Sequence, residues 1–170
     1  VRYLVKSKFF FISDIDIIYP TDHIQRHFKQ NYKIVVPCVH RIRKGILSTD
    51  FKKLIKHGII GTELSGGNCF CYKDIFERLN GFDEEYIGFG AEDDDFYIRA
   101  MKVCKITYPR LPNFDKRFVI AHLWHPPFLT NPIKSKKFLH QNRMRLVNRQ
   151  RLYFSGKLSP NAVNLNGWGF

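Results

Sequence analysis

Seven of the fifteen acidic side chains fall in the thirteen residues from Asp83 to Asp95, and that segment contains no Lys or Arg. It reads DEEYIGFGAEDDD, with Gly88 and Gly90 placed just before the run Glu92-Asp93-Asp94-Asp95. The whole chain carries +13, so everything outside the segment sums to +20. Carboxylates crowded this closely repel one another, and some of their pKa values rise. A fold accommodates such a cluster where a helix N-terminus, a cation, a general base or a hydroxyl-rich ligand offsets the charge.

The chain has 170 residues, 44% of them hydrophobic and 15% aromatic, enough for a globular domain with a real core. No apolar run reaches the roughly 18 residues that a membrane-spanning helix needs. The opening VRYLVKSKFFFISD has no initiator Met and leads directly into acidic residues, unlike a secretory leader. Position 1 therefore reads as the interior of a longer protein or as a trimmed start.

Charge is distributed unevenly. Residues 96–170 hold fourteen Lys or Arg against one acid, Asp115. Such a surface suits polyanions, acidic lipid headgroups or the phosphates of a nucleotide, and it equally suits a plain solvated face. Cys38, Cys69, Cys71 and Cys104 lack zinc-ligand spacing. In a strand, Cys69 and Cys71 share a face and read as buried thiols.

Strand and helix signals alternate along the chain without internal repeats. Phe9–Ile12 reads as a buried strand, followed by a turn and Ile17-Ile18. Thr21 is placed to cap a helix through about Lys29. Lys33–Val36 reads as a strand stopped by Pro37, and residues 40–60 hold a helix near 51–56 ended by Gly58. Beyond Gly66-Gly67 come a strand at 68–72, a helix at 73–79 closed by Asn80-Gly81, and a helix from Glu92 to about Val103. Strands at 105–108 and 117–123 precede a basic helix at about 133–154. The expected fold is α/β with a mixed central sheet. Residues 1–130 would form the main α/β region and 131–170 a basic helix and tail.

Two motifs carry metal-ligand chemistry. Asp14-Ile15-Asp16 follows the first strand, and in an extended chain its carboxylates point the same way, as a hard divalent cation requires. It reads equally as a polar turn. His122-Leu123-Trp124-His125 follows another strand, and imidazole suits Mn, Fe or Zn better than Mg or Ca. Gly66 and Gly67 would let backbone approach a ligand, or simply form a turn. Phe89 and Trp124 could stack on a sugar ring, whereas Phe82 reads as core.

Taken together, GGNCFCYKDIFERLNGFDEEYIGFGAEDDDFYIRA resembles the GT-A glycosyltransferases. It is most similar to the β-1,4-galactosyltransferase C-terminal domain and to family 2 enzymes such as chondroitin polymerases. The motif positions are Gly66-Gly67, Phe76, Asn80-Gly81-Phe82, Gly88-Phe89-Gly90, Glu92-Asp93, Asp95 and Arg99, and FFFISDIDIIYP resembles the family's strand plus DxD. The resemblance implies a UDP-sugar donor, a glycan or lipid-linked acceptor, and Mn²⁺ (or Mg²⁺). Asp16 with Asp14 would hold the metal, with His125 and His122 as further ligands and Trp124 beside the donor. Asp93 would be the general base. Glu92 would orient the acceptor, with Phe89, Gly90, Gly66 and Gly67 lining its site. Glu92-Asp93 also resembles the inverting members.

There are two departures from the pattern. Phe89 stands where the family has Trp, and the nucleotide-binding half that usually precedes the DxD is missing, so this chain alone would bind donor poorly. The competing readings are a degenerate, non-catalytic module that binds glycan or polyanion, and a metal-dependent nuclease. Nucleic acid is otherwise disfavoured as a partner. The expected role is polysaccharide biosynthesis in the cytoplasm, peripheral to an anionic membrane, with a Golgi lumen left open.

Overall fold

The computed structural model describes residues 5–64, 67–88, 90–108, 115, 117–126 and 132–165, with the side chains of 60–64 and 132–135 outside the description. Gly66 and Phe89, both assigned to acceptor binding above, lie outside the described residues. The chain divides into two compact units. One comprises residues 9–71 and 105–127, and the other 1–8, 72–104 and 128–170.

Among the described residues, the first unit contains two four-stranded sheets where the sequence suggested one. β1 (Phe9–Ile12), β6 (Cys69–Tyr72), β3 (Ile34–Val35) and β7 (Ile106–Thr107) lie side by side in that order. β2 (Ile17–Ile18), β8 (Val119–His122), β4 (Cys38–Ile42) and β5 (Ile59–Leu64) form the second sheet. Both sheets mix parallel and antiparallel pairs: β3 runs parallel to β7 and antiparallel to β6, and β4 runs parallel to β8 and antiparallel to β5. Pro37 lies where the chain leaves one sheet for the other. Having no N–H, it cannot join a ladder. Val36 N–H donates to Thr107 O, and Cys38 N–H donates to Phe118 O. The stop expected at Pro37 is therefore a change of sheet.

Helix α1 (His23–Phe28) packs its inward face on the first sheet, where His27 stacks on Phe70 and Phe118 at centroid distances of 4.5 and 5.0 Å. The expected Thr21 cap does not form. Asp22 takes the cap position, and its carboxylate pairs with Arg26 at 2.8 Å instead of bonding the first backbone N–H groups. Helix α2 (Phe51–His57) forms where a helix was expected and ends at Gly58, and the structure adds a cap, Asp50 Oδ1 accepting from Lys52 and Lys53 N–H. Its Leu54 packs with Ile42 and Ala121 on the second sheet. Cys69 and Cys71 are buried thiols as expected, and their intervening Phe70 is buried too, so β6 is covered on both faces.

The second unit is helical. α3 (Lys73–Arg78) ends where Asn80 and Gly81 adopt positive φ, and Gly81 N–H returns to Phe76 O at 2.9 Å. α4 (Glu92–Met101) carries the acidic run in its first turn, against the positive end of the helix dipole. α5 (Pro132–Phe154) packs on the loop before α4. A Cβ on Gly88 would sit 2.7 Å from Phe138, and one on Gly90 would sit 2.8 Å from Leu139. Both glycines have φ near +80 to +90°, where side chains are disfavoured. Of the apolar residues of this helix, Leu139 lies against Gly90 and Leu146 is half-buried, but Val147 and Phe154 are exposed.

Candidate functional site

Asp16, His122 and His125 converge within the first unit. Strand pairing explains how residues 106 positions apart meet. β2 and β8 are antiparallel with Ile17 opposite His122, and Leu123 N–H donates to the Asp16 carbonyl at 2.9 Å. The residue that starts β2 is thereby fixed beside the residue that ends β8. His122 Nε2 and His125 Nε2 each lie 3.1 Å from the same oxygen, Asp16 Oδ2. One ligand atom from each of the three residues falls within 4.8 Å of the others.

The hydrogen bonding around this trio suits a cation. His125 Nδ1 lies 2.8 Å from Pro126 O, and a carbonyl can only accept, so Nδ1 carries the proton. In the neutral ring, Nε2 is then a lone pair aimed at a carboxylate oxygen. Two acceptors at that separation need a proton or a metal ion between them. A backbone carbonyl that fixes the far nitrogen of a histidine is also how metal-ligating imidazoles are oriented. Asp16 Oδ1 is buried and makes no hydrogen bond. One carboxylate and two imidazoles suit Mn²⁺, Fe²⁺ or Zn²⁺ better than Mg²⁺.

Asp14 does not join this group. Residues 14–16 form a turn, not the extended chain assumed from the sequence, and the alternation that would align the two carboxylates is lost. Asp14 instead makes a reciprocal pair with Asn68: its N–H donates to Asn68 Oδ1 at 2.9 Å, and Asn68 Nδ2 donates to its carboxylate at 2.8 Å. Asn68 carried no signal as a site residue beyond following Gly66-Gly67. Gly67 itself is half-buried with open space where a Cβ would be. Trp124 is partly exposed beside His125, with Lys44 Nζ 4.8 Å from its ring centre. Ile15, between the two aspartates, projects fully into solvent.

In the second unit, Glu92 and Asp93 open α4 and are half-buried. Burial, reinforced by the neighbouring Asp94 and Glu92 carboxylates, pushes the Asp93 carboxyl up to about 6. A carboxylate tuned toward neutrality suits a general base. Gly90 has a φ of +90° and lies against Leu139, whose Cδ1 a Cβ there would meet at 2.8 Å. Asp95 and Arg99, which the sequence placed in the motif without a role, form a buried ion pair.

Residues 51–123 match the family model described as the N-terminal domain of galactosyltransferase. The matched stretch contains the acidic run and His122 and ends two residues before His125. The match supports a galactosyltransferase-like glycosyltransferase, and a mixed α/β chain with mixed sheets fits such an enzyme. No curated protein matches the chain.

Proposed function

We propose that the chain is the metal- and acceptor-binding region of an inverting glycosyltransferase that moves a sugar from a UDP-sugar to a hydroxyl of a glycan or lipid-linked acceptor. The observation that carries this reading is the single Asp16 carboxylate oxygen facing two imidazole nitrogens. The galactosyltransferase family match supports it, since that family implies a nucleotide-sugar donor and a glycan acceptor.

Asp16, His122 and His125 would hold Mn²⁺ (or Mg²⁺). When bound, the ion would neutralise charge developing on the departing diphosphate. Asp93 accepts the proton of the attacking hydroxyl as the new C–O bond forms and the bond to the diphosphate breaks, the electron pair leaving with the phosphate oxygen. A base that titrates near 6 is ionised at neutral pH yet basic enough to take that proton. Direct displacement with one base inverts the anomeric centre, and Glu92 beside it would hydrogen-bond the acceptor sugar.

Titration with Mn²⁺, with and without UDP, followed by melting temperature and tryptophan fluorescence, tests this reading. Stabilisation by Mn²⁺ that deepens with UDP and disappears in Asp16→Ala is the expected result. No response to either ligand would overturn it.

A further inference from the structure

Helix α5 contains no acidic residue, and its solvent face is mixed rather than polar. Asn142 and Tyr153 are buried on one side of the helix. On the other side, Lys136, Arg143, Val147, Arg151 and Phe154 recur at helical spacing with Met144 beside them, and all six are exposed. Met144, Val147 and Phe154 expose 51%, 41% and 55% of their surface, far more than a helix facing only water needs to leave open. Lys102, at the end of α4, places its ammonium 4.3 Å from the Phe154 ring centre and adds a cation at the C-terminal end of the stripe.

We propose that this face of α5 docks the protein on an anionic membrane surface. Cations interleaved with apolar side chains are what an interfacial helix presents: the charges meet the headgroups and the apolar residues enter the boundary below them. A soluble polyanion offers no apolar depth, so it leaves Met144, Val147 and Phe154 without a partner. A second copy of the same face would bring cation against cation. The helix is held for the purpose by its other side. Arg149 pairs with Asp83 at 2.8 Å, and Asn142 donates to Ile87 O at 3.1 Å, so docking requires no refolding.

The test is co-sedimentation of the full chain with vesicles of phosphatidylcholine alone and with one quarter phosphatidylserine, at low and physiological salt. Binding to the anionic vesicles only is expected, with affinity falling about fivefold for each of Arg143→Gln and Arg151→Gln. Met144→Ser with Val147→Ser should weaken binding while leaving the melting temperature unchanged, since both side chains already face water. Absence of binding to anionic vesicles overturns the proposal. So does binding that ignores the apolar substitutions and is transferred to a soluble sulfated polysaccharide.

Discussion

The Asp95 carboxylate and the Arg99 guanidinium meet at 2.7 Å one turn apart on α4, with neither side chain exposed. Arg99 also donates to Leu79 O and Gly81 O at 2.6 and 2.7 Å, so its fork ties α4 to the turn after α3. Burial raises the Asp95 carboxyl above its ordinary range, and the Arg99 guanidinium works against that rise. The last residue pair of the acidic motif is therefore structural.

Removing one partner of this pair leaves a buried charge unpaired. Arg99→Ala should cost about 3–5 kcal/mol in urea denaturation. Arg99→Lys should recover little, since an ammonium cannot reach the carboxylate and both carbonyls in one plane. A lysine variant as stable as the parent would refute the tie.

Asp93 should set the acid limb of activity near pH 6, transfer rising as the carboxylate forms. Its raised pKa means that the folded state holds the proton more tightly than the unfolded one. Its contribution to stability is therefore greatest at low pH and is lost as pH rises through about 4 to 6. Asp93→Asn should abolish transfer yet stabilise the fold at neutral pH, by up to about 3 kcal/mol. Paired pH–rate and pH–stability profiles check both halves, and an Asn variant less stable than the parent would contradict the burial argument.

For the metal, Mn²⁺ at a hundredfold excess over its dissociation constant should raise stability by about 2.7 kcal/mol, and a chelator should reverse it. Asp16→Asn and His125→Ala should each lose most of that gain, whereas Asp14→Asn should keep it, because Asp14 is engaged with Asn68. Equal losses for the two aspartates would mean that the turn rearranges around the ion.

Histidines 23 and 27 should make the fold acid-sensitive. Burial lowers His23 to about 4 and His27 to about 3 from the ordinary 6.5, with Arg26 and His23 respectively as further causes. The unfolded chain takes up protons first, so stability is complete above about pH 6.5 and is lost as pH falls toward 4 and 3. Both His27 ring nitrogens lack hydrogen bonds. His27→Phe should therefore stay within about 1.5 kcal/mol at neutral pH and move acid unfolding to lower pH, as followed by circular dichroism. An unchanged acid midpoint would refute the assignment.

Gly88→Ala should cost about 1–3 kcal/mol, since φ is +80° and the new Cβ would meet Phe138 at 2.7 Å. Gly45→Ala, with φ +84° and open space around it, isolates the backbone component and should cost less. Equal losses in thermal melts would remove the packing contribution.

The sequence by itself determined the local elements whose signals are local. FFFI makes β1, Gly58 ends α2, Asn80-Gly81 ends α3, and the acidic run opens α4. It also marked Asp16, His122 and His125 as ligand types and the segment around Asp93 as unusual. Residues 40–60 were less legible, because CVHRI and IIGTEL take their stability from a sheet that other segments complete. Tertiary structure decided which aspartate faces the histidines. Spacing could only say that Asp14 and Asp16 are neighbours, while strand register brought His122 to one and Asn68 to the other. It also decided that Gly90 lies against Leu139 and that Val147 and Phe154 face solvent, because a helix's apolar residues reveal their side only once another element has covered it.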